Sequence, residues 1–231
     1  MERPTDSRQS PVGSRQSASD AGHQGAFSIT TNLLGKRFNR EWVFRNLSLT
    51  FSSGNTYAIV GPNGSGKSTL MQILWGQMPP SSGNITYANG KKELEIDAVY
   101  KHVSIAAPYM DLIDEFTLAE QLRFHFKLRQ SRFNLSPDQM LGELKLEDFG
   151  EKYIGNFSSG MKQRVKLGLA MLTLSDAVFL DEPGTNLDEK AFAWYMALLS
   201  RLPENTLLFI ASNQAREYPA DAIKVDLASF K

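Results

Sequence analysis

The run Gly61-Pro62-Asn63-Gly64-Ser65-Gly66-Lys67-Ser68, followed by Thr69, sets three glycines, an ammonium and three hydroxyls within a few residues. Glycines at this spacing let the backbone curl until successive N–H groups point inward at an anion. A helix starting near Lys67 adds the positive end of its dipole. The pattern fits G-x-x-x-x-G-K-[ST], in which Lys67 reaches the outer phosphates of a nucleotide and the Ser68 hydroxyl ligates Mg²⁺. A second cluster is Asp181-Glu182, where the apolar run Ala177–Leu180 ends in adjacent carboxylates. Downstream of a phosphate loop, Asp181 is placed to hold Mg²⁺, and Glu182 to orient or deprotonate an attacking water. A third is Phe209-Ile210-Ala211-Ser212-Asn213-Gln214, a strand-like run that delivers one amide, Asn213.

These groups need a scaffold that brings strand ends together. Short apolar runs occur at Tyr57–Val60, Val103–Ala106, Ala177–Leu180 and Leu207–Ala211, and a further strand fits near Ala222–Leu227. Helical spacing lies between them: Leu118, Leu122 and Phe126; Val165, Leu169 and Leu172; Trp194 or Tyr195 with Leu198 and Leu202. Ser136-Pro137-Asp138-Gln139 reads as a capped helix start. The alternation predicts an α/β fold with a mostly parallel core sheet, whose carboxyl edge faces the ligand. Helical signals without a buried strand between about 109 and 170 suggest a helical subdomain.

Composition narrows the function. The 231 residues are 42% apolar and 22% charged, with zero formal net charge, so no global field favours nucleic acid as a partner. The chain has no cysteine, which excludes disulfides and thiolate chemistry. No apolar run reaches membrane-span length, so work at a membrane requires an anchoring partner. Residues 1–25 are rich in Ser, Arg and Gln, and repeat Ser-Arg-Gln-Ser at 7–10 and 14–17; they read as a disordered tail before a domain spanning 26–231.

From about Phe27 onward the sequence resembles the nucleotide-binding domain of ATP-binding cassette (ABC) proteins, a P-loop NTPase fold with an antiparallel β part. The discriminating stretch is Phe157-Ser158-Ser159-Gly160-Met161-Lys162-Gln163-Arg164. It is similar to the signature L-S-G-G-Q-x-Q-R, matching at Ser158, Gly160, Gln163 and Arg164 and departing at Phe157, Ser159 and Met161. The resemblance implies that Ser158, Ser159, Gly160 and Met161 serve the ATP held by an opposite, second nucleotide-binding domain. It also implies Phe38 as the aromatic against adenine, with Trp42 as the other candidate. Asp188 falls in the D-loop, or is simply a helix cap. ATP and Mg²⁺ are the implied cofactors, ATP hydrolysis the implied activity. A transmembrane permease subunit is the implied partner, with the cassette on the cytoplasmic face of the membrane. The stretch 108–116 would receive it, with Tyr109, Met110, Leu112 and Ile113 as apolar anchors.

Two departures matter. The family's Gln after the strand Val103–Ala106 falls on Pro108, counted back from Thr117-Leu118-Ala119-Glu120. The family's switch histidine falls on Asn213, and the histidines at 23, 102 and 125 lie elsewhere. Asn donates a hydrogen bond to a phosphate oxygen but cannot become cationic. An ATP-gated switch with little hydrolysis is therefore the alternative to an ATPase subunit that drives transport. Asn213 also fits an ordinary turn residue.

Overall fold

The computed structural model describes residues 26–231; the expected tail at 1–25 lies outside them. Two sheets form. Strands β1 (Phe27–Phe38), β2 (Glu41–Ser52), β4 (Ser82–Asn89) and β5 (Lys92–Leu94) build an antiparallel sheet in the order β2-β1-β4-β5. Strands β3 (Thr56–Val60), β6 (Val103–Ala106), β7 (Ala177–Asp181), β8 (Leu207–Ala211) and β9 (Ile223–Asp226) build a parallel sheet in the order β6-β7-β8-β3-β9.

The inner strands β3, β7 and β8 are dominated by apolar residues because both faces of the sheet are covered there, whereas the edge strand β9 is mostly exposed. Alternation along each strand splits the core in two. Tyr57, Ile59, Phe179, Phe209 and Ala211 face one cluster, with Phe44, Phe51, Leu70 and Trp75 from the antiparallel sheet and helix α1 (Lys67–Leu74) or just past its end. Ala58, Val178, Leu180, Leu208 and Ile210 face the other. There they meet helices α2 (Leu118–Leu128), α3 (Pro137–Glu143), α4 (Ser159–Leu172) and α5 (Glu189–Leu199). Phe179 and Phe209 stack at 4.5 Å between ring centres, with Trp75 edge-on to Phe179 at 5.5 Å. Each such pair adds about 0.5–1.5 kcal/mol beyond area burial.

The helices start where capping chemistry puts them. Thr117 and Glu120 form a complete capping box on α2, and Ser136 with Gln139 does the same on α3. The T-x-x-E run therefore has a structural role as a helix start. Asp188 caps α5, accepting from the Ala191 amide at 2.7 Å. Leu202 lies beyond α5, which ends at Leu199.

Two long strands, β1 and β2, escaped the periodicity reading. The β1 register shifts between Thr31 and Leu34, and Leu33 bulges outward at φ +49°, 57% exposed. Bulges break the period-2 alternation on which a sequence reading depends.

Candidate functional site

Register brings the three chemical clusters together. Ile59 of β3 pairs with Ala211 of β8, which pairs with Asp181 of β7. The phosphate loop, Ser212-Asn213 and Asp181-Glu182 therefore leave the same carboxyl edge from adjacent strands. Sheet alternation sends Asp181 to the face of Phe179, which is the face α1 covers.

Within the loop, Gly66 sits at φ +104°, and a methyl there would overlap the Val43 side chain of β2. Only glycine satisfies both demands. The antiparallel sheet thus packs directly on the loop that feeds α1. Lys67 is 5% exposed, and its ammonium donates to the carbonyls of Gly61 at 2.9 Å and Pro62 at 3.3 Å. Ser65 is buried, and its hydroxyl has no hydrogen-bond partner among the described residues.

Asp181 is 1% exposed, and neither carboxylate oxygen has a hydrogen-bond partner among the described residues. Burial holds its pKa above the ordinary carboxylate value, opposed by the Ser68 hydroxyl and Lys67 and reinforced by the charge of Glu182. An orphaned buried carboxylate beside a hydroxyl and an ammonium fits a site for a divalent cation with phosphate. No three His, Cys, Asp or Glu residues converge on a metal site among the described residues. Mg²⁺ here would take further oxygens from phosphate and water.

Glu182 holds a left-handed backbone, φ +48°. For a non-glycine residue this costs on the order of 1 kcal/mol. Its amide donates to Ala211 O at 2.8 Å, and Gln163 Nε2 of α4 donates to the carbonyls of Glu182 at 3.4 Å and Pro183 at 3.1 Å. Gln163 in the signature stretch thus anchors the backbone of the Asp-Glu turn, a role its spacing did not reveal. Asn213 reaches the phosphate loop, donating from Nδ2 to Asn63 Oδ1 at 3.1 Å. Asn63, Glu182, Ser212 and Asn213 line a cavity of about 150 Å³.

The other sequence candidates lie around this centre. Ser158 caps α4, its hydroxyl accepting from Met161 N at 3.2 Å, and both Ser158 and Ser159 are exposed. A methyl on Gly160 would press on the Asn186 carbonyl, so the start of α4 packs on the loop before Asp188. Phe38 and Trp42 lie on the β1–β2 hairpin, 49% and 37% exposed, each under a cation from Lys36 or Arg37. Neither is a core aromatic.

Pro108 follows β6, its carbonyl accepting from Lys166 Nζ of α4 at 3.1 Å. One helical turn earlier, Lys162 bonds Asp114 at 2.7 Å, so α4 holds the 108–114 stretch at two points. Asp111 does not turn to the phosphate loop. It lines a groove of about 300 Å³ with Met110, Leu112, His125, Arg129 and Lys166. Tyr109 faces the other way, its ring 6.4 Å from Trp75. Burial, with the charge of Asp181 adding to it, pushes the Tyr109 phenol up to about 12. Of the four apolar anchors, Met110 and Leu112 line the groove, while Tyr109 and Ile113 do not. His102 pairs with Asp176 at 2.6 Å, and His125 bonds Thr173 at 2.8 Å, its pKa pulled down to about 4 by burial. Neither serves the phosphate loop.

The family model "ABC transporter" matches residues 44–185, more than half of the chain. An uncharacterised ABC transporter ATP-binding protein, YybJ of Bacillus subtilis, is 28% identical over 184 residues, covering 80% of this chain and 84% of that one. The sulfate/thiosulfate import ATP-binding protein CysA of Synechocystis sp. is 28% identical over 193 residues, covering 81% of this chain but only 54% of that longer one. The dimeric structure of MJ0796, a bacterial ABC transporter cassette, superposes with a TM-score of 0.71 at 21% identity, covering 86% of this chain and 94% of that one. With a phosphate loop, an Asp-Glu strand end and a signature helix on one α/β scaffold, the chain belongs to the ABC transporter family as an ATP-binding cassette.

Proposed function

We propose that this chain binds and hydrolyses ATP with Mg²⁺ and, as a dimer of cassettes, powers a transmembrane permease. The observation that carries the reading is the convergence of Lys67, Asp181, Glu182 and Asn213 at one carboxyl edge. In this mechanism the loop amides and Lys67 bind the phosphates, with Lys67 leaving the Gly61 and Pro62 carbonyls for them. Ser68 and Asp181 would hold Mg²⁺, which would supply positive charge against the phosphates. Glu182, held by Gln163 and Ala211, orients the attacking water and accepts its proton. Asn213 donates to the transferred phosphoryl group in place of a cationic side chain.

Dimerisation gives the exposed Ser158 and Ser159, with the half-buried Gly160 and Met161, a use. A capped helix N-terminus with free amides suits the phosphates of ATP on a second cassette. No helix among the described residues is long and apolar enough to cross a membrane, so a permease subunit would hold the cassette at the cytoplasmic face. The Met110–Leu112 groove, with Arg129 and Lys166 at its wall, suits a short partner helix with an apolar face and an acidic residue. Glu182→Gln tests the hydrolytic assignment. It is expected to keep ATP binding, lose turnover and trap an ATP-bound dimer. Unchanged turnover would remove Glu182 from the role of base.

One feature favours the second reading, an ATP-gated switch with slow hydrolysis. Pro108 has no polar side-chain group, and its carbonyl is engaged by Lys166. Tight ATP binding without turnover, alone or with the permease, would select that reading.

A further inference from the structure

Glu217 is a buried acid that the mechanism above leaves unused. It follows β8 in a single helical turn, Ala215–Glu217, and is 2% exposed. Its backbone is fixed on both sides. Tyr195 of α5 donates its hydroxyl to the Glu217 carbonyl at 2.7 Å, and the Glu217 amide donates to Gln214 O at 3.1 Å. The side chain enters the 150 Å³ cavity shared by Glu182, Asn213 and Asn63.

There it lies against Gly184, two residues past Glu182. A methyl on Gly184 would overlap the Glu217 carboxyl. Gly184 has an ordinary backbone angle, so this contact is what demands glycine. Burial raises the Glu217 pKa, and the charge of Glu182 adds to the rise. The Ser212 hydroxyl, the Gly184 amide and Arg216 oppose it. Arg216 itself is turned outward to Glu189 at 3.0 Å. Two carboxyl groups on one small cavity do not ionise together cheaply. The deeper one, Glu217, therefore holds its proton more readily than an exposed carboxyl would.

We propose that Glu217 is a positioning residue of the hydrolytic site, clamping the loop 182–185 to the end of β8 so that Glu182 and Asn213 face one cavity. The inference rests on the hydrolytic reading of Glu182. Its consequence is a loss confined to chemistry, since the phosphate loop makes its own contacts.

Steady-state Mg-ATP turnover of Glu217→Ala, Glu217→Gln and Gly184→Ala tests it. Glu217→Ala is expected to lower kcat about 10- to 100-fold with KM within about threefold of wild type. Glu217→Gln keeps the shape, the polar contacts and a neutral group, and restores kcat to within about threefold. Gly184→Ala displaces the carboxyl and reproduces the Glu217→Ala loss. The double variant is no worse than Glu217→Ala, because the two changes break one contact. Wild-type kcat in Glu217→Ala, or additive losses in the double variant, would overturn the proposal.

Hydrogen exchange of the nucleotide-free protein reads the clamp without turnover. The amides of residues 182–185 are expected to exchange about tenfold faster in Glu217→Ala than in wild type or Glu217→Gln. Unchanged exchange would overturn the clamp even if wild type turns over. Absence of Lys67-dependent turnover in wild type would instead sink the hydrolytic reading, with exchange still deciding the clamp.

Discussion

Asn213, at the end of β8, donates from Nδ2 to Asn63 Oδ1 in the phosphate loop at 3.1 Å, across 150 residues of sequence. The bond ties the position expected to sense the outer phosphate to the loop that holds it. It also gives Asn213 a partner that an isolated turn residue would not need.

Both amides are exposed, so Asn213→Ala is expected to cost less than about 1 kcal/mol of stability. Turnover is expected to fall about 10²-fold, the loss typical of one donor to developing charge. Thermal unfolding and Mg-ATP turnover on the same preparation separate the two effects. Unchanged turnover would leave Asn213 a turn residue only.

An amide does not titrate in the physiological range, so this position contributes no pH limb to wild-type kcat between about pH 6 and 8. Asn213→His is expected to introduce one near the ordinary histidine value, about 6.5. A kcat profile that keeps its shape after the substitution would show that residue 213 does not touch the reacting phosphate.

Asp181 trades stability for its function. Its carboxylate is buried with no hydrogen-bond partner among the described residues, and burial raises its pKa. A raised folded-state pKa means that stability is present at acid pH, below the unfolded value, and is lost as pH rises through the folded one. Asp181→Asn is therefore expected to stabilise the nucleotide-free protein by about 1–3 kcal/mol at neutral pH, with the gain shrinking in acid. The same variant loses the extra stability that Mg²⁺ with ATP gives wild type. Melting curves across pH, with and without Mg-ATP, check both signs.

Ser158 caps α4 and faces solvent. Ser158→Ala is expected to cost about 1 kcal/mol as a lost cap. If the cap also serves ATP on a second cassette, it weakens the ATP-dependent dimer trapped by Glu182→Gln. Size-exclusion chromatography with ATP reads this, and an undiminished dimer confines Ser158 to capping.

The 40%-exposed Met110 tests the groove. Met110→Glu is expected to leave the purified chain's ATP affinity within about twofold of wild type. It should abolish recruitment to membranes carrying the native permease. Equal recruitment would move the docking site elsewhere.

The phosphate loop was legible because its chemistry is local: eight consecutive residues carry both the anion cradle and the helix start. The inner parallel strands were legible because burial on both faces fills them with apolar residues. Relationships set by register were not. Asn63 to Asn213, Gln163 to the Glu182 carbonyl, and Glu217 to Gly184 each join residues that only the strand order brings together. The division of the 108–116 stretch between two directions was hidden for the same reason. Loop residues carry no periodicity to say which way they face, and Tyr109 turns toward Trp75 while Met110 turns to the groove. The alternation of β1 and β2 was broken by the register shifts between them.

The most direct measurement is Mg-ATP turnover by the purified chain, with Lys67→Ala as the blank. The account predicts sustained phosphate release that requires Mg²⁺ and disappears in Lys67→Ala. ATP bound tightly with no Lys67-dependent release, even with the permease partner present, would contradict it.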